Sequence, residues 1–257
     1  MENITPEEQS YYCGECNAIV KGYHRFCHNC GAYLGIEGEQ VDIFNNRSLR
    51  SAFLFYSLYF LICIAVKYTD YFDSYDRLFW IEILLAAITV FFAWLNWKTI
   101  RPLLSFKSFN PLLLAGIIAG AALFSWVVDL SVRELNVSLF HSDVSFYRSY
   151  KIYIAPQFVM IYSIAFMPAV FEELAFRGVL YNSLSGVLDE KLVVLVTGFI
   201  FAVMHLNPIS LVWLIPFGIL LGFFRRKYNT IWYGIIFHFV FNLVACLLDL
   251  YKEGVLF

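Results

Sequence analysis

The chain has 257 residues, of which 60% are hydrophobic, 19% aromatic and only 15% charged, and its mean hydropathy is +0.67. A water-soluble domain of this size needs more polar surface than this composition supplies. The net charge of −2 gives no global basic field, so we expect no nucleic-acid partner. Residues 1–40 are polar and lack the apolar stretch typical of a cleavable signal peptide.

A cysteine cluster occupies residues 11–34. Two CxxC pairs are separated by ten residues, and their members are Cys13, Cys16, Cys27 and Cys30. Four thiolates are enough for a closed tetrahedral zinc site, and so short a segment needs metal to fold because it cannot bury a core. We therefore predict a structural zinc ribbon in which His24 and His28 are not ligands. Two disulfides or a redox pair are the alternatives, and a cytosolic location disfavours disulfides.

The remainder divides into a polar linker, 35–49, and a membrane-embedded part, 50–250. The apolar blocks do not alternate in polarity as barrel strands do, so we predict an all-α polytopic membrane protein. A span takes about 20 residues of helix. Seven spans are predicted, the fourth continuing to about Ser185: 51–67, 79–97, 111–130, 152–174, 192–206, 209–224 and 231–249.

Basic residues in the short flanks predict the orientation. They precede span one and follow spans two and six, at Arg47, Arg50, Lys98, Arg101, Lys107, Arg225, Arg226 and Lys227. If the chain has seven spans, these flanks all lie on the same side of the membrane. Because basic flanks are typically cytoplasmic, we expect that side, and the cysteine cluster with it, to face the cytoplasm. The acidic connection 68–77 then lies outside, as does the loop predicted over 131–151, whose mixed charge fits this orientation less well.

Two GxxxG patterns, Gly116 to Gly120 and Gly218 to Gly222, are typical of close helix contacts. We expect packing within the chain rather than dimerisation.

Three ionisable residues stand in the fourth apolar block, where charged groups are costly and usually functional. Glu173 and Arg177 are spaced i,i+4, so they share a helix face and can pair. Glu172 points about 100° away, which leaves it free for other chemistry. The plain alternative is that Glu173 and Arg177 form only a structural ion pair.

Further polar residues stand in otherwise apolar spans: His205 in the fifth, and His238 and Asn242, again spaced i,i+4, in the seventh. Glu172 and His205 lie sixteen to seventeen residues on either side of the turn near 188–189, so they should lie at one level of a hairpin. His238 should lie one or two turns shallower. A single membrane histidine often serves packing, and Asn242 alone could join helices, but together these residues predict a polar site inside the bundle.

These residues resemble the three motifs of the CPBP family, also called the CAAX protease and bacteriocin-processing or Abi family. The motifs are Glu172-Glu173-x-x-x-Arg177, Phe201-x-x-x-His205 and His238-x-x-x-Asn242, and the resemblance covers about 150–250. It implies that 150–250 is a catalytic transmembrane core, that 50–149 supplies accessory helices, and that the protein is an intramembrane endopeptidase. Its substrate would be a membrane-associated protein or peptide, as in the members that cut prenylated CAAX proteins.

The resemblance also implies a role for each residue. Glu172 would be the general base that activates water, helped by His205. His238 and Asn242 would stabilise the oxyanion, and Glu173 and Arg177 would orient the group. A catalytic zinc held by Glu172, His205 and His238 is the alternative, although the HExxH arrangement is absent.

Two other functions remain open at this point. A non-catalytic scaffold or bacteriocin-immunity protein would keep the fold and recruit a protein partner through its zinc ribbon. A transporter with a Glu–His proton relay is the weaker alternative, because the spans show no internal repeat. In each case we expect an integral protein of a cell membrane, a prokaryotic one from the ribbon arrangement, with its spans in contact with lipid.

Overall fold

The computed structural model describes residues 10–21, 26–32, 34, 46–72, 74–105, 110–141 and 145–256. The predicted linker lies outside the described residues up to residue 45, and so does His24.

The amino-terminal module contains two antiparallel strands, β1 (Ser10–Tyr12) and β2 (Ile19–Lys21). The turn between them brings the amide of Cys13 to the carbonyl of Ala18 at 2.9 Å, and Asn17 takes a left-handed φ of 56°. Residues 27–32 repeat this turn, with Cys27 bonded to Ala32 and a φ of 75° at Gly31. Both CxxC pairs therefore lie on equivalent tight turns, and the second uses the freedom of glycine at the left-handed position.

The rest of the described chain is helical. Its helices are α1 (Arg47–Tyr68), α2 (Tyr75–Leu95), α3 (Trp97–Ile100), α4 (Pro111–Phe140), α5 (Phe146–Tyr150), α6 (Pro156–Leu184), α7 (Glu190–Val203), α8 (Leu211–Tyr228) and α9 (Trp232–Lys252). Single 3₁₀ turns follow α1 at Asp70–Phe72 and α3 at Arg101–Leu104. Within the described residues, α1, α2, α4, α6 and α9 are long and apolar enough to cross a bilayer. The predicted helical membrane fold is confirmed, and the chain is an integral membrane protein.

Side-chain caps explain where three of the helices begin. Asn46 accepts hydrogen bonds from the first free amides of α1, Asn110 does the same for α4, and Asp189 for α7. Such caps satisfy amides that have no partner inside the helix.

The fourth predicted span continues as one helix, α6, to Leu184, close to the expected end. Two of its turns, Tyr162–Phe166 and Leu174–Leu180, are π-helical. The prediction of a loop over 131–151 is wrong for the first half of this range, because α4 stays helical to Phe140. Polar residues such as Arg133 and Glu134 ended the apolar block without ending the helix.

The fifth and sixth predicted spans form the hairpin of α7 and α8, and α7 has only 14 residues. That is about 21 Å of helix, less than a hydrocarbon core of about 30 Å. The two helices approach at Gly198 and Gly218, where a Cβ on Gly218 would lie 2.6 Å from the Gly198 carbonyl oxygen. The prediction of close packing is thus confirmed for Gly218 and Gly222.

The same prediction is wrong for Gly116 and Gly120 of α4, because no atom of the described residues, apart from the backbone of α4 itself, would lie within 4 Å of a Cβ at either position. Both residues line an open apolar groove between α4, α8 and α9.

Candidate active site

The predicted site residues come from three helices that meet inside the bundle. Glu172, Glu173 and Arg177 lie on the second half of α6. His205 follows the end of α7, and His238 and Asn242 lie on α9.

Glu173 and Arg177 form the ion pair expected from their i,i+4 spacing. Arg177 Nη1 lies 2.9 Å from Glu173 Oε1, and both side chains have 0% exposure. Arg177 Nη2 donates to the carbonyl oxygen of Gly218 at 2.9 Å. The close contact of α7 with α8 therefore places a backbone acceptor where the guanidinium needs a second partner, as a buried charge requires.

His238 joins this pair from α9. Its Nδ1 lies 3.3 Å from Glu173 Oε1, and its side chain is 5% exposed. A carboxylate paired with arginine accepts hydrogen bonds, so Nδ1 of His238 carries the hydrogen and Nε2 is left for other partners. The contact joins α6 to α9 and orients the ring of His238.

His205 is oriented in the same way by the backbone. Its Nδ1 lies 3.0 Å from the carbonyl oxygen of Phe201. A carbonyl only accepts, so Nδ1 is the donor and the neutral ring presents Nε2 as an acceptor. The Phe201 ring packs edge-on against both imidazoles, with centroid distances of 5.0 Å to His205 and 6.0 Å to His238. Arg177 lies over the same ring at 4.6 Å.

Glu172 points elsewhere than Glu173, as the 100° step around the helix requires. Its Oε2 atom is buried and has no hydrogen-bond partner within the described part of the chain. The carboxylate interacts electrostatically with His238, Glu173 and Arg177, and also with Cys63 of α1. It therefore lies among the polar residues of the site, on the side toward α1.

Asn242 is placed differently from the other residues. Its Nδ2 donates to the carbonyl oxygen of Ile164 at 2.8 Å, within the first π-helical turn of α6. This bond occupies one amide hydrogen and leaves the other for a ligand. The interhelical role weighed for Asn242 from the sequence is thus present in the structure.

Two residues of the site were given no role by sequence reasoning. Gly234 lies one turn before His238 on α9, and a Cβ there would lie 2.6 Å from Glu173 Oε2. Cys63 of α1 lines a cavity that also reaches His205. The i,i+4 spacing of Gly234 and His238 was the available signal for the glycine.

A Gly234→Ala substitution tests how closely Glu173 is confined. In open space, alanine should stabilise a helix by about 1 kcal/mol relative to glycine. Here the new methyl group must displace a buried carboxylate, and such overpacking costs about 1–3 kcal/mol. We expect a lower midpoint of thermal unfolding in detergent, whereas Gly116→Ala, the control in open space, should leave the midpoint unchanged or higher. Equal midpoints for the two variants would contradict the close contact.

The four cysteines form a compact group whose sulfur atoms all lie within 4.8 Å of one another. Cys13 and Cys30 are 3.7 Å apart, and Cys16 and Cys27 are 3.5 Å apart. Ligands at the usual Zn–S distance around a tetrahedron would be separated by about 3.8 Å. The cluster can hold a metal ion such as zinc.

The predicted catalytic residues do not form a comparable group. Among the described histidines, cysteines and acidic residues, the cysteine cluster is the one set of three or more that could hold a metal ion. Glu172, His205 and His238 are not part of such a set.

Comparison with known proteins adds one match. Residues 154–244 match the family described as type II CAAX prenyl endopeptidase Rce1-like. No curated protein and no solved structure matches the chain. The matched segment contains all six of the predicted catalytic residues, and the cysteine cluster and the first three long helices lie outside it. Residues 154–244 are thus similar to the Rce1-like family, which is consistent with the resemblance to the CAAX proteases of the CPBP family.

Proposed function

We propose that the protein is an intramembrane endopeptidase in which Glu172 activates water for attack on a peptide bond. The family match supports a CAAX-type endopeptidase, whose substrate would be a membrane-associated protein or peptide. One observation carries the assignment of the base: Glu172 has a buried Oε2 without a hydrogen-bond partner among the described residues, and its carboxylate interacts electrostatically with His238. Within the same residues, Glu173 Oε2 and Glu82 Oε2 are unpaired as well, but Glu173 already pairs with Arg177 through Oε1, and Glu82 is the control in the test below. Buried polar atoms are normally bonded, so an unpaired carboxylate oxygen marks a place for water or substrate.

The proposed reaction begins with transfer of a proton from water to Glu172. The resulting hydroxide bonds to the carbonyl carbon of the substrate, and the carbonyl oxygen becomes an oxyanion. Glu172 then passes its proton to the leaving nitrogen as the C–N bond breaks. His205 can assist in orienting the water, because the Phe201 carbonyl holds its Nδ1 and leaves Nε2 as an acceptor.

The oxyanion would be stabilised from α9. A protonated His238 can donate from Nε2 while Glu173 holds its Nδ1, and Asn242 has one amide hydrogen left beside its bond to Ile164. Donors that are already in place where charge develops are the usual source of such stabilisation. Glu173 and Arg177 act as positioning residues in this scheme, because they orient His238.

The proposal assigns the remaining parts of the chain as well. Residues 11–34 form a ribbon around a structural zinc and would be available to a protein partner. Residues 50–149 supply accessory helices, and 150–250 form the catalytic core. The basic flanks of the spans support a cytoplasmic amino terminus.

The test compares Glu172→Gln with Glu82→Gln, a matched change at another half-buried glutamate of the membrane helices. Loss of the general base should reduce cleavage by at least about 10²-fold. The measurement is the rate at which the purified full-length protein in liposomes cuts a quenched fluorescent prenylated CAAX peptide. Quantitative mass spectrometry of membranes from cells with each variant would show which native peptides accumulate uncut.

The expected result is loss of cleavage and accumulation of uncut peptides in Glu172→Gln alone. If both variants and the wild type gave the same peptides, while deletion of residues 11–34 abolished the cellular phenotype, the scaffold alternative would replace the protease.

A further inference from the structure

A cavity of about 470 Å³ reaches the candidate site from one end of the bundle. Its lining comes from the end of α1, the connection after it, the start of α2 and the residues after α7. These include Cys63, Lys67, Phe72, Leu78, His205 and Leu206. Because Cys63 also interacts electrostatically with Glu172, the cavity leads toward the proposed base as well as to His205. We call this end of the molecule the cavity end.

Contacts between connections show which other segments lie at each end. At the cavity end, Lys252 pairs with Asp129 at 2.7 Å, and Asp249 accepts from the amide of Tyr147 at 2.8 Å. At the opposite end, Thr230 donates to the carbonyl of Leu103 at 2.9 Å. The ends of α4 and α9 and the short helix α5 are therefore at the cavity end, whereas the α8–α9 turn and the segment after α3 are at the opposite one.

The two ends differ in charge. The end opposite the cavity, which we call the basic end, carries eight described basic residues: Arg47, Arg50, Lys98, Arg101, Lys191, Arg225, Arg226 and Lys227. Among the described residues of the helical part, Asp189 and Glu190 are the acidic residues at that end. At the cavity end, the described residues include six basic ones (Lys67, Arg77, Arg133, Arg148, Lys151 and Lys252) and six acidic ones (Asp70, Asp76, Asp129, Glu134, Asp249 and Glu253).

This difference predicts which end lies in the cytoplasm. Lys and Arg accumulate in the cytoplasmic flanks of membrane spans. Three of the basic residues at the cavity end are also engaged by carboxylates: Arg148 and Lys151 by Glu253, and Lys252 by Asp129. The basic end therefore faces the cytoplasm, and the cavity opens on the other side.

We propose that the cavity is the substrate entrance and that it admits peptides from the non-cytoplasmic side of the membrane. The inference rests on the proposed endopeptidase function and specifies its substrate class: a peptide segment presented at the outer leaflet or in an exported protein. A lipidated protein confined to the cytoplasmic leaflet would meet the basic end of the bundle, away from this cavity.

Sidedness can be measured without reference to activity. In intact cells, a membrane-impermeant maleimide should modify Cys63, and Tyr71→Cys in the exposed connection after α1, with each adduct located by peptide mass spectrometry. Lys227→Cys, at the exposed basic end, should react only in inverted vesicles. The opposite pattern, with Lys227→Cys modified in intact cells and Tyr71→Cys only in inverted vesicles, would overturn the proposal.

A second measurement links the entrance to the reaction. Treatment of intact cells with the maleimide should reduce Glu172-dependent processing at least 10-fold relative to untreated cells of the same strain. Cells with Cys63→Ser should lose less than 2-fold relative to their own untreated activity. Full processing after complete Cys63 modification would reject the entrance and leave the endopeptidase assignment intact. If the Glu172→Gln variant processed peptides as the wild type does, the proposed endopeptidase function would be rejected, even with the expected labelling pattern.

Discussion

Removal of metal from the amino-terminal module should unfold residues 10–34 and leave the helical bundle folded. In this module the buried apolar side chains are those of Cys13, Val20 and Cys27, so two of the three are themselves metal ligands in the proposal. Metal binding to such modules contributes about 10–16 kcal/mol, far more than so small a core could supply. The helical bundle has its own hydrophobic core, so its folding should not change when the metal is removed.

The measurement combines metal analysis with hydrogen exchange on the full-length protein. We expect one zinc per chain and slow exchange of amides such as those of Cys13 and Cys27, which are bonded to the carbonyls of Ala18 and Ala32. A chelator or a Cys27→Ser substitution should remove the zinc and this protection together. Cys63→Ser is the control, because this cysteine belongs to α1 and not to the cysteine cluster. The zinc content of the Cys63→Ser protein should equal that of the wild type.

The same analysis tests the water mechanism. Two zinc ions per chain, falling to one in a His205→Ala variant, would show a metal in the membrane site and would contradict the proposed mechanism. Absence of zinc from the wild-type protein purified without chelators would contradict the ribbon.

Local chemistry made much of this fold predictable. Apolar blocks with cap residues before them, such as Asn110 before α4, mark where helices begin. The i,i+4 spacing of Glu173 and Arg177 predicted a contact that depends only on helix geometry. The paired CxxC motifs predicted the cysteine cluster for the same reason, since each pair needs only its own turn.

The features that escaped prediction depend on tertiary packing. Two identical glycine patterns gave opposite outcomes, because Gly218 meets Gly198 of a neighbouring helix whereas Gly116 faces an open groove. The length of α4 was missed because a helix can continue beyond the membrane after its apolar residues end. The contact of Gly234 with Glu173 and the cavity shared by Cys63 and His205 each join segments far apart in sequence. The i,i+4 spacing of Gly234 and His238 places the glycine on the same helix face, but it does not show what packs against that face.

Replacement of Arg177 by Met should be the most damaging single change within the membrane site. The substitution leaves the fully buried Glu173 carboxylate with the Nδ1 contact of His238 at 3.3 Å, and it also leaves the Gly218 carbonyl without its donor. Removing one member of a buried ion pair typically costs about 3–5 kcal/mol. We expect a large fall in the unfolding midpoint and in the yield of protein from membranes.

The chain offers a matched control in Arg226, which pairs with Glu190 at 2.8 Å while the two side chains are 37% and 70% exposed. An exposed pair contributes about 0–1 kcal/mol, so Arg226→Met should change the midpoint little. The double variant Glu173→Gln and Arg177→Met should be more stable than Arg177→Met alone, because it removes the unpaired charge. Similar falls in the unfolding midpoint for Arg177→Met and Arg226→Met would show that burial does not determine how much the Glu173–Arg177 pair contributes to stability. That result would also remove the reason for treating Glu173 and Arg177 as the structural support of His238.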